Sequence, residues 1–195
     1  MPRAISLQGP QAVGKTTALK AIEKKLESTN VSYEIIRPIV ERREEQQLNI
    51  FEQEGFVQNQ KLFIEGELVR YATLPDGLTV FDRGPEDTEC FSITFPKLIG
   101  QDWDIELLLS NELNRLRECV VESILYLTAR DEVLLERKEA DESRRRFSFN
   151  LEHFRLFESW YKKNPKVRFL DVSSLSEEDV ENSVMEWIRE FETDV

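Results

Sequence analysis

Residues 4–17 of the chain read AISLQGPQAVGKTT, and this stretch decides the fold class. Ala4 to Leu7 form a short apolar strand, and Gly9 to Thr16 match the pattern Gly-x-x-x-x-Gly-Lys-Thr. Good helix formers follow from Thr17 to Ile22. A glycine-rich turn between a strand and a helix is the context in which this pattern holds the phosphates of a nucleoside triphosphate.

Each fixed position of the motif has a physical role. Gly9 and Gly14 permit backbone angles and a close approach that a side chain would block, so that successive N–H groups can point at phosphate oxygens. Lys15 supplies a mobile positive charge, and Thr16 supplies a hydroxyl group for Mg²⁺. The strand before the motif and the helix after it disfavour a chance glycine-rich turn. The predicted nucleotide-binding residues are Gly9, Ala12, Val13, Gly14, Lys15, Thr16 and Thr17.

The composition indicates a globular chain. Of its 195 residues 40% are hydrophobic, and no Pro-, Gly- or Ser-rich stretch suggests a linker, so we expect one domain over residues 1–195. No apolar run is long enough to span a bilayer and the start lacks a secretion signal, which predicts a cytoplasmic protein with no membrane partner. Two cysteines and one histidine are too few for a disulfide scaffold or a histidine cluster.

The net charge of the chain is −12, which argues against a nucleic-acid partner, because binding a phosphate backbone needs a basic surface. A small molecule is the expected partner. The sequence leaves the oligomeric state open, and a homodimer is compatible with it.

Apolar strand patterns alternate with helical patterns along the whole chain. This order predicts a parallel sheet, with ligands bound beyond the carboxyl ends of its strands. The predicted strands are 4–7, 31–36, 78–82, 123–127 and 167–171. The predicted helices are 15–28, 46–71 with an interruption at Gly55, 85–97, 105–117, 131–139, 151–163 and 176–191. The segments expected along the ligand-binding edge are 9–16, 37–43, 82–87, Arg130 and 171–174.

Asp82, Arg83 and Gly84 follow the third apolar strand. Asp82 is a candidate for holding Mg²⁺ or for accepting a proton from a substrate hydroxyl, and Arg83 for pairing with phosphoryl oxygens. The alternative is that Asp82 caps the next helix. Glu86 and Asp87 either face the substrate or are solvated carboxylates at the start of that helix.

The strongest basic concentration lies between Arg137 and Arg146. Arginines on a hinged segment can stabilise the charge that spreads over a transferred phosphoryl group and can exclude water. The candidates are Arg144, Arg145 and Arg146. The alternative is an exposed helix in which Glu139, Asp141 and Glu142 balance the arginines.

Taken in order, the phosphate-binding motif, Asp82-Arg83 and the late arginine segment resemble the thymidylate kinase and deoxynucleoside kinase group of P-loop kinases. The resemblance implies a three-layer α/β P-loop NTPase fold in which helices flank a five-stranded parallel sheet. It implies ATP as the donor, a requirement for Mg²⁺, and an arginine-rich lid over about residues 137–150. It also implies that Arg83 approaches the transferred phosphoryl group, that Arg137 stacks on adenine, and that Ser173 and Ser174 lie on the adenine side.

The chain departs from this group after the second strand. Deoxynucleoside kinases commonly place a carboxylate next to a proline there, whereas this chain has Arg37 before Pro38. Thymidylate kinases have a related Arg-Glu-Pro pattern, of which this chain lacks the glutamate. Asp82 and Glu41 are the candidate general bases. The expected substrate-binding residues are Arg37, Glu41, Glu86 and Asp87.

The sequence thus predicts an ATP- and Mg²⁺-dependent kinase that transfers the γ-phosphoryl group to a small molecule, with a nucleoside or nucleotide as the leading acceptor. Another small hydroxyl compound, such as an antibiotic or a vitamin precursor, is an alternative, since a fold does not select the acceptor. A nucleotide-binding regulatory ATPase is another. A GTPase is disfavoured, because no Asn-Lys-x-Asp segment and no Asp-x-x-Gly switch after the third strand occur.

Overall fold

A computed structural model describes residues 2–26, 28–140 and 149–192. In these ranges the strands are β1 (Pro2–Gln8), β2 (Thr29–Ser32), β3 (Gly77–Asp82), β4 (Ile124–Thr128) and β5 (Val167–Asp171). The helices are α1 (Lys15–Ile22), α2 (Arg37–Glu45), α3 (Gln53–Ala72), α4 (Pro85–Leu98), α5 (Ile105–Leu108), α6 (Ser110–Arg117), α7 (Asp131–Ala140), α8 (Leu151–Tyr161) and α9 (Glu177–Glu192).

The strands form one sheet in the order β2-β3-β1-β4-β5, and every neighbouring pair is parallel. This confirms the predicted α/β fold with a five-stranded parallel sheet flanked by helices. The central strand β1 carries Ala4, Ile5 and Leu7, all buried, and even its polar Ser6 and Gln8 are buried. Such a continuous buried run is typical of a strand with cover on both faces.

The described chain separates into two compact units. Unit 1 consists of Met1–Ser32, Pro75–Asp82 and Val121–Val195, and it contains the whole sheet with α1, α7, α8 and α9. Unit 2 consists of Tyr33–Leu74 and Arg83–Val120, and it contains α2 to α6. The expectation that residues 1–195 act as one domain stays a prediction.

In unit 1, α1 and α9 pack on each other and on β3. The N-terminus of α9 is fixed by a capping box, formed by Ser176 and Asp179 of the sequence Ser-Glu-Glu-Asp. The Asp179 N–H donates to the Ser176 hydroxyl at 3.1 Å, and the Ser176 N–H donates to the Asp179 carboxylate at 3.2 Å. Each side chain therefore satisfies a backbone donor at the helix start.

Unit 2 has a core of its own, built on aromatic side chains. Phe56 of α3 stacks on Phe95 of α4 with 5.3 Å between ring centroids, and Phe91 stacks on Phe95 at 5.0 Å. The aliphatic members of this core are Val57, Ile64, Ile105, Leu109, Leu113 and Leu116. Phe56 is completely buried in this core, whereas Phe51 is 64% exposed.

Two predicted element boundaries were wrong in the segment after β2. The second strand ends at Ser32 rather than Ile36, because β2 pairs only with β3 and its last partner, Phe81, is one residue from the end of that strand. Pro38 then lies in the first turn of α2, where its fixed φ angle suits a helix start. The long helix begins at Gln53, not Gln46, after Gln47 adopts a φ of 53°.

Two other predicted helices also differ. The first helix ends at Ile22 rather than Ser28. The predicted helix over 105–117 is divided into α5 and α6 at Leu109, which is completely buried in the core of unit 2 and has φ −119° and ψ 23°. No helix in the described ranges combines the length and the apolar character that crossing a membrane requires.

Gly55, expected to interrupt the long helix, lies inside the first turn of α3. A β-carbon there would lie 2.2 Å from the Asn49 carbonyl oxygen, so the chain before α3 can fold back only onto a glycine. At Gly66 of the same helix an added β-carbon would meet only the side chain of Ile39, whose terminal carbon would lie at 2.8 Å and can rotate away.

We predict that Gly55→Ala lowers the free energy of unfolding by about 1–3 kcal/mol, the usual penalty of overpacking against an atom that cannot move. Gly66→Ala is the matched control. It should stay within about 1 kcal/mol of wild type, because alanine is the better helix former. Urea-induced unfolding followed by circular dichroism measures both. Equal midpoints for the two variants would contradict the proposed close contact.

Candidate functional site

The turn after β1 has the backbone geometry that its glycines were predicted to supply. Gly9 has φ +138° and Gly14 has φ +106°, both in a region that side chains disfavour. A β-carbon at Gly9 would lie 2.4 Å from the carbonyl oxygen of Leu127 in β4. Between the glycines, Ala12 also has a positive φ, of 67°. The loop therefore forms a tight turn that ends at the N-terminus of α1, which favours anions.

Lys15 is buried, with 6% of its surface exposed, and its ammonium contacts the loop itself. Nζ donates to the carbonyl oxygens of Gly9 at 2.7 Å and Pro10 at 2.9 Å. These contacts hold a positive charge against the turn. A cation placed this way can balance the charge of a bound phosphate group.

Thr16 and Asp82, the two predicted Mg²⁺ residues, contact each other directly. The Thr16 hydroxyl donates to Asp82 Oδ2 at 2.8 Å. The sheet register explains the contact, because Asp82 ends β3 opposite Leu7 of β1, just before the glycine-rich turn. Asp82 is 7% exposed. A hydroxyl and a carboxylate oxygen are both ligands that Mg²⁺ prefers.

Arg137 of α7 connects the glycine-rich turn to the loop after β5. Its guanidinium donates to the carbonyl oxygens of Val13 and Val172, each at 3.2 Å. In that loop the Ser173 hydroxyl donates to the Asp171 carboxylate at 2.5 Å and accepts from the Arg130 N–H at 2.8 Å. The hydrogen bonds from Ser173 lower the pKa of Asp171. Unit 1 thus brings together the residues predicted for the phosphates, the metal and the adenine side.

The predicted substrate residues Arg37, Glu41, Glu86 and Asp87 all belong to unit 2, as does Arg83. Arg37 and Glu41 form an exposed ion pair with 2.9 Å between Nε and Oε1. Arg83 follows Asp82 in the chain and adopts a left-handed φ of 60°. Its Nη1 lies 3.5 Å from Asp87 Oδ2 and 4.0 Å from Glu34 Oε1. The predicted Asp87 and the unpredicted Glu34 therefore both face Arg83.

A buried ion pair, which the sequence pattern did not predict, adjoins Arg83. Arg70 of α3 donates through Nη1 to both carboxylate oxygens of Glu67, at 3.1 and 3.0 Å, and to the carbonyl oxygen of Arg83 at 2.8 Å. The side chains of Arg70 and Glu67 are 3% and 7% exposed. The sequence feature that indicates burial of Glu67 is its helical spacing. Glu67 lies seven residues after Gln60 and eleven after Phe56, on the buried face of α3.

Burial raises the pKa of Glu67 to about 7. The positive charge and the hydrogen bond of Arg70 oppose this increase, whereas the carboxylates of Glu34 and Glu86 add to it. Glu86, a predicted substrate residue, therefore belongs to the same group of charges. Arg144, Arg145 and Arg146 lie outside the described residues, and their predicted role stays a prediction.

Comparison with known proteins gives a family and a fold. The family model described as "AAA domain" matches residues 4–178. No curated protein matches the chain. Among solved structures, thymidylate kinase from Candida albicans superposes with a TM-score of 0.69 at 19% identity, over 97% of this chain and 92% of that one. Deoxyadenosine kinase from M. mycoides has a TM-score of 0.68 at 17% identity, over 96% and 99%.

These likenesses confirm, at the level of the fold, the resemblance to thymidylate and deoxynucleoside kinases that the sequence indicated.

The raised pKa of Glu67 predicts a pH dependence of stability. The folded chain keeps a proton that the unfolded chain releases above its ordinary pKa of 4.5. The contribution of Glu67 is therefore complete below pH 4.5 and is lost as the pH rises to about 7, by about 3 kcal/mol in total.

We expect wild type to lose stability relative to Glu67→Gln as the pH rises from 4.5 to about 7. The difference between their free energies of unfolding should decrease over this range, because glutamine does not titrate. Urea titrations at a series of pH values measure the difference. Glu65→Gln removes an exposed carboxyl group from the same helix and is the control. A difference for Glu67→Gln that does not change with pH would contradict the assignment.

Proposed function

The chain belongs to the AAA domain family, and we propose that it is an ATP- and Mg²⁺-dependent kinase that transfers the γ-phosphoryl group to a small molecule. A nucleoside or nucleotide is the leading acceptor class. The observation that carries the proposal is the hydrogen bond from Thr16 to Asp82 beside the glycine-rich turn. In this contact two oxygen atoms of the kind that Mg²⁺ prefers lie next to a glycine-rich loop, which supports a site for a metal-bound triphosphate.

The residues of unit 1 fit a nucleoside triphosphate. The turn at Gly9 lets backbone N–H groups approach the phosphates, and Lys15 supplies the charge. The proposed contacts of the donor are Gly9, Ala12, Val13, Gly14, Lys15, Thr16 and Thr17. Arg137, which donates to the carbonyl groups of Val13 and Val172, is proposed to contact the adenine, and Ser173 and Ser174 are proposed for the same side.

Phosphoryl transfer asks the protein mainly for positioning and for charge stabilisation. Mg²⁺, held by Thr16 and Asp82, would neutralise charge on the β- and γ-phosphate oxygens. Lys15 stabilises the same region from the loop. Arg83 pairs with the transferred phosphoryl group, since a guanidinium presents a planar set of donors to phosphoryl oxygens.

The acceptor hydroxyl needs a group that takes its proton. Asp82 and Glu41 were the candidates from the sequence, and Glu34 and Asp87 join them because both face Arg83. Arg37, Glu41, Glu86 and Asp87 remain the proposed substrate-binding residues. Another small hydroxyl compound would suit the same donor residues, so an antibiotic or a vitamin precursor is an alternative acceptor.

A nucleotide-binding regulatory ATPase is the second candidate, favoured by the description of the family as an AAA domain. In that case hydrolysis would depend on a protein partner rather than on a small acceptor. The two candidates therefore differ in what stimulates release of phosphate from ATP.

We predict that a panel of nucleosides, nucleoside monophosphates and other hydroxyl compounds contains one that strongly stimulates ATP turnover and becomes phosphorylated. Labelled ATP followed by separation of the products measures the transfer. Lys15→Ala should lower turnover by at least about 100-fold, or about 2.7 kcal/mol, the scale of removing one charge-stabilising group. Lys20→Ala, at an exposed position of α1, is the matched control.

Tight ATP binding without transfer to any acceptor would contradict the kinase. Unchanged activity of Lys15→Ala would remove the glycine-rich turn from the mechanism.

The arginine-rich segment gives a further prediction for the proposed lid at about residues 137–150. At least one of Arg144→Ala, Arg145→Ala and Arg146→Ala should lower kcat and leave the unfolding midpoint near that of wild type, because a lid arginine stabilises charge only in the transition state. Arg155→Ala, on the exposed surface of α8, is the control. Wild-type kcat in all three lid variants would assign the segment to a solvated surface.

A further inference from the structure

Arg83 holds a backbone conformation that its residue type disfavours. Its φ is 60°, in the left-handed region, where a side chain strains the chain. Arg83 directly precedes Gly84 and Pro85, with which α4 begins. A strained residue persists only where surrounding contacts fix it. The contacts that fix the backbone of Arg83 therefore also determine the direction in which its side chain leaves the turn.

Arg70 supplies such a contact from α3. Its Nη1 donates to the Arg83 carbonyl oxygen at 2.8 Å, the shortest of the three bonds that this nitrogen makes to Glu67 and Arg83. Hydrogen bonds from a charged donor are stronger than those from a neutral one. The side chain of Arg70 is 3% exposed, so the donor of this bond is shielded from bulk water.

Glu67 in turn keeps the guanidinium of Arg70 in place. A buried ion pair is a poor way to stabilise a fold, because apolar side chains of similar volume stabilise as well or better. Stability alone therefore does not account for this pair, which instead places a donor beside one carbonyl group of a strained turn.

We propose that Arg70 is a positioning residue, which holds the turn at Arg83 in its left-handed conformation and thereby aims the Arg83 guanidinium towards Asp87 and Glu34. The inference rests on the proposed function, in which Arg83 pairs with the transferred phosphoryl group. Glu67 orients Arg70, and neither residue contacts the substrate.

The test replaces the pair by apolar residues, Glu67→Met together with Arg70→Met, so that no buried charge is left without a partner. The matched control is Glu65→Met with Arg115→Met, an exposed pair of the same unit with 3.6 Å between Oε2 and Nη1. We expect kcat of the buried-pair variant to fall at least about tenfold and KM for ATP to stay unchanged. A small displacement of a catalytic group can lower the rate by up to about a hundredfold, so a loss of this size is expected from a displaced Arg83. The control should keep its kcat.

Repeating the replacement in an Arg83→Ala variant shows whether the loss of kcat depends on Arg83. In Arg83→Ala chains the same buried-pair replacement should lower kcat by less than about twofold, since the group that it positions is already absent. A loss as large as that in the wild-type background, or wild-type kcat in the buried-pair variant, would overturn the proposal.

A measurement without activity separates this inference from the proposed function. The Asp87 N–H donates to the Gly84 carbonyl oxygen at 3.0 Å, so loosening of the turn should speed hydrogen exchange in a peptide covering residues 83–89. Exchange at the wild-type rate in the buried-pair variant would overturn the positioning role. Absence of transfer in the wild-type chain itself, with faster exchange in the variant, would overturn the kinase alone.

If the apolar pair does not fold, Arg70→Lys serves in its place. It keeps a positive charge beside Glu67 on a shorter stem with a single ammonium group. The expected result is again faster exchange at residues 83–89 and a lower kcat, and wild-type values of both would overturn the proposal.

Discussion

The turn at Gly9 depends on the absence of a side chain. A β-carbon would lie 2.4 Å from the Leu127 carbonyl oxygen, so β1 can pass into the loop beside β4 only through a glycine. The carbonyl oxygen of Gly9 itself accepts a hydrogen bond from the ammonium of Lys15 at 2.7 Å. At the end of the loop, the Thr16 hydroxyl donates to the carboxylate of Asp82. The pairing of β3 with β1 fixes the position of Asp82. One close backbone approach therefore underlies the arrangement of the residues of unit 1 that are proposed to bind the nucleotide.

The sequence was sufficient for this part of the molecule because its determinants are local. The glycines, the lysine and the threonine lie within one contiguous turn, and Asp82 is identified by following an apolar strand. The capping box at Ser176 can also be recognised in the sequence, because its two members, Ser176 and Asp179, are three residues apart. Each side chain accepts a hydrogen bond from the backbone N–H of the other. Short-range chemistry of this kind does not need knowledge of distant neighbours.

The charge cluster of unit 2 could not be read in the same way. A glutamate and an arginine three residues apart on a helix ordinarily form a solvated pair. What makes Glu67 and Arg70 unusual is their burial, which depends on the packing of α3 in unit 2. The left-handed angle of Arg83 depends on contacts too. Even the end of β2 was set by where its partner strand stops. These features depend on contacts between residues that are distant in the sequence, and a local sequence pattern does not identify such contacts.

Unit 2 is built from two separate segments, which leave the sheet after β2 and after β3 and return to it at Pro75 and Val121. The two strands are neighbours in the sheet. Neither segment carries a whole helical core, because Phe56 comes from the first and its stacking partner Phe95 from the second. The helical unit can therefore be exchanged between related chains only by transplanting both insertions together, so recombination that moves one of them would break the aromatic stack.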